Sequence, residues 1–188
     1  MLLAVLAGTG LRATTYEPPR FEELAAEADQ IVRGRVVDLR SYRTTHDGQP
    51  LIETAVTLAV AETEAGPAAS NLTLTLLGGR IGDEVLEVDA MPRLQVGEDV
   101  ILFVRGNGRT VCPIVGWSHG AFRVRRAASA GSTDYVERWN GEPLVDLSQV
   151  PQPLEPAGGS RALAGRAIAP AQLFAAARLE RERLDRAR

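Results

Sequence analysis

Lysine is missing from this chain of 188 residues, and cysteine, histidine and the aromatics are scarce. The single cysteine, Cys112, excludes an intramolecular disulfide, so the fold must stand on its core in any compartment. Two histidines, His46 and His119, with no HxH, HExxH or CxxC spacing, exclude the common zinc layouts. All 21 basic residues are arginine, which, beside abundant Ala and Gly, reflects GC-rich codons more than a function. A basic excess is absent too: the formal charge is −3, and residues 14–177 carry −6 once the arginine-rich tail and Arg12 are set aside. Such a body repels phosphate backbones, so no nucleic-acid partner is expected. Beyond the first few residues no apolar run is long enough for a transmembrane span. What remains, 45% hydrophobic and 24% charged, is the composition of a globular domain.

Residues 1–13, MLLAVLAGTGLRA, are apolar and small from Leu2 to Gly8, like the core of a secretory signal, without a basic segment before them. The expectation is a signal peptide whose start lies further upstream, processed near Ala13, and hence a secreted or periplasmic protein. A cytoplasmic protein with an apolar N-terminus is the alternative.

Residues 14–150 are expected to form the main domain. Pro18-Pro19 leads into a short helix, with Phe21, Leu24, Ala25 and Ala28 at helical spacing. β-structure follows. Ile31 to Arg43 ends at His46-Asp47-Gly48, a hairpin signal; Ile52, Thr54, Val56, Leu58 and Val60 then alternate with small residues, and Leu72, Leu74 and Leu76 repeat the pattern. Gly78, Gly79 and Gly82 read as a flexible loop before a short segment at Val85–Val88. Asp99 to Arg105 is apolar on both sides, as a central strand is. Asn107-Gly108 predicts a type I′ turn into a strand from Thr110 to Val115, with Pro113 marking an edge or bulge. Ala121–Arg126 and Tyr135–Glu137 complete the set, with a turn at Asn140-Gly141. Residues 151–169 read as a Pro/Gly linker, and 170–188 as a C-terminal helix docked by its first half, with Arg178–Glu182 and Arg181–Asp185 pairs on a wet surface. The fold class expected is all-β: a small antiparallel OB-like barrel, or a β-sandwich, with a helix at each end.

ATTYEPPRFEELAAEADQIVRGRVVDLRS at 13–41, TAVTLAVAETEAG at 54–66 and the long block LLGGRIGDEVLEVDAMPRLQVGEDVILFVRGNGRTVCPIVGWSHGAFRV at 76–124 carry a likeness. Over roughly Ala13 to Phe174 the chain resembles a family of secreted bacterial β-barrel proteins with no established activity. The block at 76–124 is the specific part. A Lys-Gly usual in that family is replaced by Ala65-Gly66. The resemblance implies a compartment and a domain type, and no catalytic residues.

Several residues invite chemistry. Cys112 and His119 face each other across the predicted hairpin and form the minimal pair for a thiol-dependent hydrolase, since an imidazole must take the thiol proton. Pro113, however, removes a backbone N–H that commonly serves as an oxyanion donor, and no acid is assigned to orient His119, so a buried small hydrophobe and a turn residue are expected instead. His46, His119, Asp47, Asp83 and Asp89 are too scattered for a metal site. Gly78–Gly82 lacks the ending and the helix of a phosphate loop, leaving Arg80 as a possible contact to a carboxylate or partner. Trp117 and Trp139 lie in turns, where they either plug barrel ends or anchor a partner; plugging is the expectation. Arg123, Arg125 and Arg126 read as a solvated face, and Asn71-Leu72-Thr73 as an accidental match to a glycosylation acceptor.

No cofactor and no metal are expected. The function expected is a non-enzymatic binding module of the cell envelope or exterior, engaging a protein or envelope component through Arg80, Trp117 and His119 on the loops Gly78–Glu84 and Gly116–Gly120. The alternatives are the Cys112/His119 hydrolase, an oligonucleotide- or oligosaccharide-binding barrel, and a metalloprotease-inhibitor-like barrel, for which Thr14 or Thr15 would have to stand where such inhibitors place a cysteine.

Overall fold

The computed structural model describes residues 17–126, 133–156 and 161–187; the signal segment expected at 1–13 and part of the linker expected at 151–169 lie outside them. The chain opens with helix α1 (Phe21–Glu27), whose start is fixed by the Glu23 carboxylate accepting the Arg20 backbone N–H at 2.7 Å. Two long strands follow, β1 (Gln30–His46) and β2 (Gln49–Ala65), joined by Asp47 and Gly48 with φ of 49° and 77°, the positive pair that the Asp-Gly signal predicts. Next come β3 (Asn71–Leu77), a two-stranded ribbon of β4 (Gly79–Ile81) and β5 (Glu84–Leu86), then β6 (Asp99–Val104), β7 (Ala121–Arg125), β8 (Tyr135–Arg138) and helix α2 (Pro170–Arg186). The main sheet is antiparallel in the order β3-β2-β1-β6-β7-β8.

Register shifts along β1 bend the first hairpin. At one of them Val37 is skipped, while Val36 exchanges backbone hydrogen bonds with Gly97 and Glu98. At Gly34 the neighbouring strand comes so close that a Cβ would lie 2.7 Å from the Ala59 carbonyl oxygen, which accounts for a glycine mid-strand.

Because β6 is central, its alternate residues enter two different cores. Ile101 and Phe103 join Phe21, Leu24, Phe122, Leu173 and Phe174 under the two helices, where Phe103 meets both Phe21 and Phe122 edge-to-face at 5.9 Å. Val100, Leu102 and Val104 join Val36, Val56, Leu58, Leu74, Cys112 and Ile114 on the opposite, inwardly curled face. Helix α2 is held as far as Arg181: Arg178 makes a two-pronged pair with Glu64, and Arg181 donates to the carbonyls of Ala25 and Ala28 at 3.0 and 2.8 Å, capping the end of α1. Those guanidinium groups therefore serve tertiary contacts, not the i,i+4 pairs expected on a wet surface; the buried residues of the helix lie in its first half, and residues 182–187 are exposed.

The all-β class with a helix at each end is as expected, but the sheet is not closed as a barrel: β3 and β8 do not pair with each other. Each outer strand is tied off by a loop instead. The Asn107 amide donates to the Thr73 carbonyl at 2.7 Å and accepts from the Thr75 N–H, while Leu77 N–H bonds Val111. On the other side β8 is covered by residues 142–144 and by Ile168.

This explains the two local misreadings. Gly106 and Gly108 have positive φ and Asn107 does not, so no type I′ turn forms. With Asn107 committed to β3 and Pro113 lacking a ladder donor, the strand expected at Thr110–Val115 reduces to a single bridge, Val104 to Ile114. The glycine loop is also more ordered than expected: Gly79–Ile81 pairs with Glu84–Leu86.

Candidate functional site

The two tryptophans of the chain, 22 residues apart in sequence, come together. Trp117 opens a short 3₁₀ turn, Trp117–Gly120, between the bridge at Ile114 and β7; Trp139 directly follows β8. Both pack one side against the inner core and line an open cavity of about 600 Å³ with Asp89, Ala90, His119 and Leu154. That volume is within the range of small-molecule sites. The indoles thus both cover the core and border solvent, so plugging and presenting are not exclusive.

The backbone here is strained. Three non-glycine residues among those described have positive φ, and two of them line this cavity: Ala90 at 59° and Trp117 at 58°. A bulky residue in the left-handed region is an outlier that costs about 1–3 kcal/mol and persists only where its surroundings impose it. The surroundings are visible. Ser118 donates both its backbone N–H (3.2 Å) and its hydroxyl (2.7 Å) to the Ala90 carbonyl, stitching the two strained turns together. Gly116, at φ 62°, lies so close to Pro19 that no Cβ fits, and a Cβ on Gly120 would collide with the Val115 carbonyl. The turn can therefore take only one position.

The far wall is also anchored. Buried Arg138 donates to Glu142 at 2.7 Å and to the carbonyls of Gln152 and Pro153. Asn140 donates to the Glu155 carbonyl at 3.0 Å. These bonds hold residues 152–155, including Leu154, beside the indoles. Arg123 lies 3.7 Å from the Trp139 ring centre and is paired with Glu98 at 3.0 Å. It is therefore no part of a solvated face, unlike Arg126, which is exposed.

His119 bonds the Val150 carbonyl through Nδ1 at 2.9 Å; burial, aided by Arg138, pushes its pKa down, so it is neutral at pH 7. Cys112 sits elsewhere, in the inner core, with its thiol directed to the Ile114 carbonyl and its pKa pushed up to about 11 by burial. A thiol in that state is protonated at neutral pH and is no nucleophile. Among the described residues no group of three His, Cys, Asp or Glu is placed to hold a metal.

No family model matches the chain, and no curated protein matches it.

Arg80 lies apart from the tryptophans. It belongs to β4 and borders a second cleft of about 370 Å³ with Leu39, Val56, Leu76, Met91 and Leu94. Its backbone N–H faces the Ser41 hydroxyl at 3.4 Å and its side chain is exposed. Of the three binding residues read from sequence, Trp117 and His119 share a site and Arg80 does not join them. Sequence reasoning missed Ala90 and Leu154, which carry no local signal, and weighed Asp89 only as one of the scattered acids. No helix among the described residues is long and apolar enough to cross a membrane.

Proposed function

We propose that this chain is an exported, non-enzymatic binding module of OB-like type, which engages another protein or an envelope component through the Trp117–Trp139 pocket. Export is supported by the small apolar leader at Leu2–Gly8 and by the resemblance to secreted bacterial proteins. Binding is supported above all by one observation: two left-handed, non-glycine turns are locked together to hold a pair of indoles beside an open cavity. Strain of this kind has no role in the core, which would be equally covered by unstrained residues, so it points to the site. Nothing comparable supports the thiol hydrolase, whose nucleophile is buried and protonated.

The test is affinity capture from the native envelope fraction with wild-type protein and Trp139→Ala side by side, read by mass spectrometry. A component retained by the wild type and lost with a folded Trp139→Ala variant is the expected result. Identical capture by both proteins rejects the pocket as the binding site.

A further inference from the structure

We infer that the Trp117–Trp139 pocket takes an uncharged sugar ring, so that the envelope component bound there is a neutral glycan; this inference rests on the binding-module reading above. The pocket leaves few of its polar groups unspent. Ser118 and Asn140 have committed their donors to Ala90, Glu142 and Glu155, so they are scaffold. His119 is engaged as well, its Nδ1 on the Val150 carbonyl. Left over among the described residues are the two indole N–H groups and the exposed Asp89 carboxylate, which bond no other described residue. The ligand must therefore bring both acceptors and donors. An ammonium brings donors alone, a carboxylate or phosphate acceptors alone, and a proline-rich segment chiefly carbonyl acceptors. Hydroxyl groups bring both, and a pyranose adds a flat C–H face that packs on an indole.

Charge points the same way. The nearby cations are neutralised, Arg123 by Glu98 and Arg138 by Glu142, and neither lines the cavity. An anion would meet Asp89 with no free cation to offset it. A cation brings no acceptor and would leave both indole N–H groups unanswered. The rigid turn at Gly116–Gly120 and the anchored Leu154 wall pre-organise the site, which limits the ordering cost of binding.

Both tryptophans of the protein line the pocket, so indole emission reports on it; Trp117 also borders a cleft with Pro19 and Arg20, so the change is read in Trp139→Phe as well, where it should be reduced. The full chain is titrated with maltotetraose, cellotetraose and tetra-N-acetylchitotetraose, and in parallel with tetramethylammonium, glucuronate and a proline-rich peptide. The expected result is a saturable emission change with at least one neutral oligosaccharide, weakened about tenfold in Asp89→Asn, where a charged acceptor becomes a neutral one. Asp89 is exposed and bonds no other described residue, so this variant should keep the structure intact, which circular dichroism checks. The inference is overturned if none of the three oligosaccharides changes the emission into the millimolar range, or if only the peptide, the ammonium or the acid does. Trp139-dependent capture from the envelope would survive that outcome, and its loss would instead remove the binding-module reading.

Discussion

The two faces of the main sheet are closed by different means. One is sealed by helices: α1 and α2 lie over a cluster built on Phe21, Phe103, Phe122 and Phe174, and arginines from α2 reach across to α1 and β2. The other curls over aliphatic residues and is covered by loops carrying Leu94, Cys112 and Ile114. Helices present continuous apolar stripes to the core. Loops must satisfy their own backbone first, and openings lie beside them: the cleft by Arg80, the pocket between the tryptophans, and one at the start of α1 between Pro19, Arg20 and Trp117. The pocket proposed for binding belongs to the second face.

The sharpest way to break this division is Phe103→Ala. It removes the ring that joins α1 to β7 and should cost about 3–5 kcal/mol. Hydrogen exchange should show the loss concentrated in α1 and α2, and in the folded fraction the tryptophan emission should be unchanged. Equal loosening of both faces would show that they are not separate cores.

Cys112 probes the loop-covered face through pH. Its thiol is held above the ordinary value, at about 11. Below the unfolded pKa, near 9, both states are protonated and the contribution is complete. As pH rises from there through about 11 the unfolded thiol ionises and the folded one resists, so stability falls, by about 2–3 kcal/mol from this group. Urea unfolding across that range should show the loss in wild type and a shallower one in Cys112→Ala.

The smallest effect is expected from Arg181→Met, which keeps most of the stem and removes the cap on Ala25 and Ala28. About 1 kcal/mol should go, with faster exchange at the end of α1 and no change in the pocket.

How much of this could be read from residues alone depends on the range of the interaction. Strand β6 was legible because apolar residues on both sides have one explanation, a central position. The Asp47-Gly48 turn was legible because its geometry is decided by two adjacent residues. Asn107-Gly108 carries an equally strong local pattern and misleads, since the Asn107 amide bonds Thr73 and Thr75, more than thirty residues earlier. The site shows the same division. Trp117 and His119 stand out individually, but nothing in the sequence joins Trp117 to Trp139, or Ser118 to Ala90, because those pairings are made by sheet order and by the return of residues 152–155 under Arg138.

The tied-off rims of the sheet have a consequence for assembly. From Thr73 to Leu77 and along Val136 to Arg138, lateral N–H and C=O groups are already spent on Asn107, Val111, Glu142, Leu144 and Ile168. An incoming strand could dock at either rim only by evicting those partners. Fibre-like growth and recruitment by strand addition are thereby discouraged at these two rims.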